Sequence, residues 1–212
     1  MDKIPSQRRQ ARKKDERNWQ RKKILDAGLD VFARNGYEGT SVREIAEISG
    51  FSVGHIYNLI GKKEELFDQL LLQEGCDFEG VLLSLTERLS QQPAIEILDQ
   101  LIVEILSYFQ ERPALFQIYL NETGAVLAAI DTHFSKRVLR LRGRLQKQIV
   151  TLFKRAFEEG SVIEIDPEHM RIAFFQLLNG FLGAWALARY RYPVVNEAET
   201  IRQIIWSGLR SK

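Results

Sequence analysis

Apolar residues recur three and four positions apart along almost the whole chain, and this spacing constrains the fold more than any other feature of the sequence. Between about residues 17 and 34 they form one stripe that ends at Asn35-Gly36. A spacing of three to four places residues on one face of an α-helix, whereas a half-buried strand alternates apolar and polar residues. No segment shows that alternation over a convincing length. The sequence therefore predicts an all-α protein.

The composition excludes several classes of protein. With 45% apolar residues among 212, the chain can build a core, and its length suits one domain or a small domain joined to a larger one. No run approaches the roughly 18 apolar residues of a membrane span, and the N-terminus is charged where a signal peptide is apolar. One cysteine, Cys76, and three histidines cannot form a disulfide framework or a closed zinc site. We therefore expect a cytoplasmic protein with no membrane segment, no metal and no cofactor.

The net charge of +2 conceals a strong asymmetry along the chain. Residues 1–23 contain ten Lys or Arg against three acids, whereas residues 24–212 contain twenty against twenty-five. A basic front end on a nearly neutral body is typical of binding to a polyanion through that end alone. Composition by itself leaves a solvated tail as an equal alternative.

Residues 41–60 are predicted to form two short helices joined by a tight turn. Ser41 and Glu44 have the spacing of a capping box, in which the hydroxyl accepts from the Glu44 amide and the Glu44 side chain reaches back. Gly50 breaks the first helix and Ser52 caps the second. This is the helix-turn-helix pattern, whose second helix lies in the major groove of DNA. Ordinary helical bundles also contain such pairs, and the basic segment upstream favours the DNA-binding interpretation.

The second of these helices has the two faces that contact with DNA requires. Ile56 and Ile60 are four positions apart and are predicted on the inner face. The outer face is predicted to carry small and polar side chains, namely Ser52, Val53, Gly54, His55, Tyr57 and Asn58.

Several short motifs follow one another closely between residues 32 and 66. Phe32 precedes Asn35-Gly36-Tyr37, and then come Thr40, Ile45-Ala46, Gly50, Ser52, Gly54, Tyr57 and Lys63-Glu64-Glu65-Leu66. In this order the residues resemble the DNA-binding domain of TetR-family transcriptional regulators, in detail over about residues 17–70. The resemblance implies a basic arm or helix extension over 1–16, a three-helix helix-turn-helix domain over 17–62, and a larger helical effector-binding and dimerisation domain over 63–212.

The resemblance also implies which residues contact DNA. Thr40 and Lys63 are expected to bind phosphates, and Gly54 to allow close approach of the helix. Val53 can offer methyl groups to a thymine methyl, and His55 can donate to a guanine acceptor. The full set implied in this way is Thr40, Ser41, Arg43, Ser52, Val53, Gly54, His55, Tyr57, Asn58 and Lys63.

Two departures from the family pattern weaken the expected anchoring on phosphate. The family often has Lys or Arg where Val53 stands, and His or Tyr followed by Phe where Leu59 and Ile60 stand. We hypothesise that the basic segment compensates by touching phosphates or entering a minor groove. Its cations are Arg8, Arg9, Arg12, Lys13, Lys14 and Arg17.

The remaining chain is predicted to form further helices near 93–110, 113–121, 132–159 and 167–190, with a last helix opening at Asn196. The helix near 167–190 is apolar nearly all round, so it must be covered on several sides. A single-chain core and a two-fold interface both satisfy that need. Because the family dimerises through a four-helix bundle, the resemblance implies an interface within 167–210, through Phe174, Leu178, Phe181, Trp185, Ile201 and Ile205.

A pocket for a hydrophobic or amphipathic effector is implied by the resemblance only. Apolar and aromatic residues of the middle helices, with a few polar groups, are typical of ligand cavities and also of plain core. The candidate lining residues are Tyr108, Phe116, Tyr119 and Glu122.

These observations together predict a homodimeric transcriptional repressor of a palindromic double-stranded DNA operator, released by a small molecule. No nucleophile elbow, P-loop or dinucleotide fingerprint is present, so we do not expect an enzyme. Two alternatives remain, which are a non-specific architectural DNA-binding protein and an activator of the same fold.

Overall fold

The computed structural model describes the backbone of residues 4–126 and 134–209, and the side chains of residues 9–120 and 134–208. Within these ranges the chain is built from helices and the turns between them, which confirms the all-α prediction. In chain order the α-helices are α1 (Ile4–Gly39), α2 (Val42–Ser49), α3 (Val53–Leu59), α4 (Lys63–Arg88), α5 (Ala94–Gln110), α6 (Pro113–Val126), α7 (Lys136–Glu158), α8 (Pro167–Leu187) and α9 (Ala198–Leu209), with a 3-10 helix at Val194–Glu197 before α9.

The first helix is much longer than its apolar stripe. It begins at Ile4, so the basic segment extends α1 as helix, which answers a question that the sequence left open. Gly36 interrupts α1 near its end, at φ 68° and ψ 176°, a backbone region open essentially only to glycine. The interruption lies at the Asn35-Gly36 pair, where the sequence predicts the end of the helix.

Other helix ends differ from the predicted ones by several residues. The helix expected from about 132 begins at Lys136, because the Ser135 hydroxyl accepts from the amides of Arg137 and Val138 and caps it. At the other end of the fold, α8 stops at Leu187 rather than near 190. The predicted cap at its start is confirmed, since the Asp166 side chain accepts from the Glu168 and His169 amides.

The chain divides into two compact units. One comprises Met1–Leu71 and Gln117–Phe134, and the other comprises Leu72–Phe116 and Ser135–Lys212. The sequence placed the domain boundary at residues 62 and 63, whereas the first turns of α4 belong to the first unit. The reason is packing, because Leu66, Phe67 and Leu70 of α4 are buried in that unit.

The first unit packs α1 to α3 and the start of α4 around one apolar core. Phe32, Tyr37 and Phe67 form an aromatic cluster with ring centroids 4.8 to 6.1 Å apart. A Cβ at Gly28 would lie 2.8 Å from Leu66 Cδ2, so a side chain there would require the buried Leu66 to shift. Full burial of a large apolar side chain contributes about 1.5–3 kcal/mol, and the unit fully buries Ile24, Phe32, Ile45, Ile56, Leu66 and Phe67.

The second unit is built around α5, which contacts α7, α8 and α9. Two tryptophans form hydrogen bonds within this unit. Trp185 Nε1 donates to the Tyr192 carbonyl at 2.7 Å, and Trp206 Nε1 of α9 donates to Asp99 Oδ1 of α5 at 2.9 Å. The core contributed by α5 consists of Ala94, Ile97, Leu98, Leu101, Ile102, Ile105, Leu106 and Tyr108.

Most of the residues expected at a dimer interface lie in the core of the second unit instead. Phe174, Leu178, Trp185, Ile201 and Ile205 are at most 6% exposed within their own chain and offer little surface to a partner, so an interface through them stays a prediction. Of the expected set, Phe181 is half-buried. The sequence could not separate the two faces of an all-round apolar helix, and packing against α5 and α7 selected the face that carries Phe174.

The opposite face of α8 is open and unusual in composition. After the first turn, its exposed residues share one stripe along the helix, at Ile172, Ala173, Gln176, Gly180, Ala184 and Leu187. Leu187 is 88% exposed and Ile172 is 46% exposed, while Ile204 of α9 is 50% exposed. Small residues in the middle of this stripe leave room for another helix to approach closely.

The same helix meets the length and composition of a membrane span, which the sequence did not lead us to expect. Within the described ranges α8 is the one helix that does so. Core helices of globular proteins satisfy the same test, so this is weak evidence for a membrane segment. Phe174, Leu178 and Leu182 of α8 are fully buried in the second unit.

Candidate nucleic-acid interface

Two serine caps and a glycine shape the turn between α2 and α3. The Ser41 hydroxyl accepts from the Glu44 amide at 3.2 Å, and the Ser52 hydroxyl accepts from the His55 amide at 3.1 Å. Gly50 ends α2 in the left-handed region, at φ 76°, and its amide donates to the Ala46 carbonyl. Each cap satisfies one of the amides that a helix start leaves without a partner.

The capping box predicted for α2 is only half formed. The Glu44 carboxylate does not reach back towards Ser41, because Asn35 Nδ2 donates to it at 2.8 Å and Arg34 lies 3.8 Å away. Glu44 therefore ties the start of α2 to the end of α1. These partners come from another helix, which local spacing could not reveal.

The faces of α3 are arranged as the sequence predicts. Ile56 is fully buried and Ile60 nearly so, and both belong to the core of the first unit. Ser52, Gly54, Tyr57 and Asn58 are exposed on the other side, with Tyr57 49% exposed. A Cβ at Gly54 would meet no atom within 4 Å, so the fold itself does not require glycine there. The missing side chain at Gly54 leaves room for a partner outside the chain.

Val53 and His55 lie at the edge of the exposed face. Both are half-buried, and the His55 ring stacks on Phe51 with centroids 5.0 Å apart and planes 18° apart. His55 Nε2 is buried and has no hydrogen-bond partner. The predicted donation to a guanine cannot use this nitrogen in the present rotamer. Burial against Phe51, which sequence periodicity does not show, is the reason.

Thr40 and Lys63 are both engaged within the chain rather than presented to solvent. Thr40 is 5% exposed, and its hydroxyl donates to the Gly36 carbonyl at 2.7 Å. Lys63 Nζ donates to the carbonyls of Tyr37, Glu38 and Thr40 at 2.9, 3.3 and 3.2 Å. It also lies 4.5 Å from the centroid of the Tyr37 ring. In this geometry both predicted phosphate ligands instead hold the link between α1 and α2.

Two further residues of the expected DNA-contacting set are accessible. Ser41 and Arg43 are exposed, and the Arg43 guanidinium lies 3.4 Å from Glu47 one turn along α2. Both members of this pair are strongly exposed, and such pairs contribute little to stability, about 0.3–0.5 kcal/mol. Arg43 can therefore turn to an anion at little cost to the fold.

Sequence reasoning missed two residues that position α3. Arg21 of α1 donates to Gln69 Oε1 at 2.7 Å and to the Leu59 carbonyl, while Gln69 donates to the Ile60 carbonyl at 3.1 Å. These bonds satisfy the carbonyl end of α3, which local hydrogen bonds leave open. Their sequence separation means that no local signal pointed to them.

The residues expected to line an effector pocket are not gathered by the structure into one apolar cavity. Tyr108 and Phe116 are buried in the second unit, whereas Tyr119 belongs to the first, and the Glu122 side chain lies outside the described residues. The Tyr108 hydroxyl donates to the Glu74 carbonyl at 2.9 Å, and burial raises the pKa of its phenol. Beside it lies a cleft of about 200 Å³, lined by Asp77, Val81, Glu104, Ser107, Tyr108, Glu111 and Arg112.

Comparison with known proteins agrees with the geometry of the first unit. The family model described as "Bacterial regulatory proteins, tetR family" matches residues 24–70. The "Probable HTH-type transcriptional regulator YttP" of Bacillus subtilis is 28% identical over 138 residues, which is 65% of this chain and 63% of YttP. The present chain thus spans less than two thirds of the length of that relative.

Solved structures share the fold over most of the chain. The transcriptional regulator FadR of Bacillus subtilis, solved in complex with stearoyl-CoA, superposes with a TM-score of 0.69 at 20% identity and covers 88% of this chain and 97% of FadR. The fatty acid degradation regulator FadR of Bacillus halodurans superposes with a TM-score of 0.72 at 19% identity, over 91% and 97%. The family match thus assigns residues 24–70, which include the exposed, serine-capped α3, to a domain of the tetR family of bacterial regulatory proteins, and the solved structures share the fold around it.

Proposed function

We propose that this protein is a homodimeric transcriptional repressor that binds a palindromic operator and is released from it by a small molecule. The observation that carries the proposal is the exposed polar face of α3 above a buried apolar face. A helix of this kind enters the major groove with its N-terminal residues against the base edges. We place the protein in the cytoplasm, where its bacterial relatives act on DNA.

Base contacts come from the exposed part of α3 and phosphate contacts from its surroundings. Gly54, Tyr57 and Asn58 face the groove, and Val53 offers its methyl groups from the edge of that face. Asn58 has both a donor and an acceptor and suits adenine. Ser41 and Arg43, exposed at the start of α2, suit phosphates because the first helix of such a motif crosses the backbone.

Dimerisation uses the exposed stripe of α8 and the exposed Ile204 of α9 rather than the buried residues. The stripe leaves two large apolar side chains, Ile172 and Leu187, in contact with water. A second copy of the same surface would cover them. Two-fold symmetry then requires two half-sites whose centres lie about 34–36 Å apart, or a multiple of that distance.

The proposed effector is a hydrophobic or amphipathic molecule bound in the second unit. The structural relative FadR of Bacillus subtilis was solved with stearoyl-CoA, which supports this class of ligand. The effector must bind the DNA-incompetent conformation more tightly, because a ligand shifts an equilibrium only by its differential affinity for the two states.

Selection of bound duplexes from random DNA tests the proposed function. We expect a palindromic consensus and an affinity for it at least about 10³-fold above that for bulk DNA. A specificity ratio near one would instead support an architectural DNA-binding protein. Stearoyl-CoA is then added to the complex, with free coenzyme A as the control, and release of the duplex by the acyl form alone is the expected result.

A further inference from the structure

The core-facing side of α1 continues beyond the core as a row of cations. Ile24 and Val31 are fully buried on this side. Arg17 lies two helical turns before Ile24 and therefore shares its face, and Lys13 and Arg9 follow at steps of four residues. All three cations are exposed and make no hydrogen bond or ion pair with the described residues. We call Arg9, Lys13 and Arg17 the cationic stripe.

The direction in which this stripe leaves the first unit is tied to α3 at both of its ends. Trp19 contacts Phe51, just before α3, edge to face with ring centroids 6.3 Å apart. Arg21 donates to the carbonyl of Leu59, the last residue of α3. Arg21 lies one helical turn after Arg17 and near its face, and α1 is continuous helix from Ile4, so the cationic stripe leaves the first unit on the side where Arg21 meets the end of α3.

The overhanging part of α1 carries unfavourable electrostatics within the chain itself. Arg9 and Lys13, and Lys13 and Arg17, are like charges four residues apart, which destabilises an isolated helix. The first turn of α1 carries no acid, so cations gather near the positive end of the helix dipole. Residues 9–18 are all exposed, so little burial of apolar surface offsets this repulsion. A polyanion along the stripe removes the repulsion.

We propose that the cationic stripe binds the phosphate backbone of the duplex flanking the bases that α3 reads. This inference rests on the proposed DNA-binding function and extends the contact surface beyond the helix-turn-helix. Ten residues separate Trp19 from Arg9, or about 15 Å of helix, which equals the rise of roughly four base pairs.

The stripe binds as a helix on the outside of the duplex. An α-helix with its side chains is about 10–12 Å wide, whereas the minor groove is about 6 Å wide. The structure therefore disfavours the threading of this segment into a minor groove, which the sequence alone allowed.

The test compares three proteins on DNA over a range of salt concentrations. The first is the wild type, and the second is the triple variant Arg9→Gln, Lys13→Gln, Arg17→Gln. The third is a control with the same change of charge on exposed positions of α7, namely Arg137→Gln, Arg142→Gln, Lys147→Gln. Glutamine is a good helix former and all six positions are exposed, so folding is preserved and circular dichroism verifies it. The probe is a fluorescent 40-base-pair duplex of mixed sequence, because phosphate contacts do not depend on sequence.

We expect the triple variant to lower the slope of log affinity against log salt by about 2.7 per subunit, at about 0.9 for each phosphate that the variant no longer neutralises. The control is expected to keep the wild-type slope. Equal slopes in all three proteins, or an equal decrease in both variants, would overturn the proposal. Two further results would also overturn the proposal. One is release of the flanking DNA by a minor-groove-binding drug. The other is binding to phosphatidylserine vesicles that depends on the cationic stripe, together with binding to DNA that does not depend on it.

The duplex obtained by selection separates this inference from the proposed function. Lengthening that duplex by five base pairs at each end should raise the affinity of the wild type and of the control, but not of the triple variant. A length effect that the triple variant retains would overturn the inference and leave the regulator function intact. If selection yields no preferred sequence, the regulator function fails, and the mixed-sequence duplex still decides the role of the stripe.

Discussion

At the scale of single residues, Lys63 shows how a side chain can have a different role from the one that its motif implies. The family pattern makes it a phosphate ligand, whereas its ammonium group donates to the carbonyls of Tyr37 and Glu38 at the end of α1 and of Thr40 just after it. A charged donor shared among these carbonyls holds the link from α1 to α2 in place. That link carries Ser41 and so sets where α2 begins.

The substitution Lys63→Met distinguishes these two roles. We expect it to lower the free energy of unfolding by about 2 kcal/mol, the scale of hydrogen bonds to a charged group, as measured by urea denaturation. Lys62→Met is the matched control, since it removes the same charge from the exposed neighbouring side chain. Unchanged stability together with a weakened affinity for DNA would restore the role of Lys63 as a phosphate ligand.

At the scale of elements, α3 depends on its cap because it is only seven residues long. So short a helix gains little from its own hydrogen bonds and needs its packed face and its N-cap. We expect Ser52→Ala to cost about 1 kcal/mol in unfolding free energy and Ser52→Gly only a few tenths. Thermal unfolding of both variants measures which of them loses more stability. Equal losses in the two would show that the hydroxyl does not act as a cap.

At the scale of the whole molecule, the two faces of α8 have different roles. The face with the buried Phe174 stabilises the fold of the subunit, and the face with the exposed Ala184 is the proposed dimer interface. We expect Ala184→Glu to leave the subunit folded and to produce monomers, because a charge would then lie in the proposed interface. Analytical ultracentrifugation measures the mass, and Ser84→Glu on the exposed side of α4 is the control. A dimer that persists in Ala184→Glu would place the interface elsewhere.

Phe174→Ala tests the other face of the same helix. Truncation of a fully buried phenylalanine leaves a cavity and costs about 3–5 kcal/mol. We expect lower unfolding free energy without a specific loss of dimerisation. A variant of normal stability that is monomeric would instead return Phe174 to the interface, as the sequence had suggested.

The sequence by itself determined the helical class, most helix starts and the two faces of α3. These features follow from local chemistry, since Ser52, Asp166 and Gly36 act on backbone groups within a few residues of themselves. The exposure of Tyr57 and the burial of Ile56 follow from helical periodicity alone.

Only the tertiary structure decided which partners the polar groups take and which side of an apolar helix is covered. Lys63, Arg21 and Glu44 bind groups on other helices, and α8 offers apolar residues on every side. In such cases several arrangements satisfy the local pattern equally well. Free energy then depends on contacts between residues distant in sequence, which periodicity and spacing do not encode.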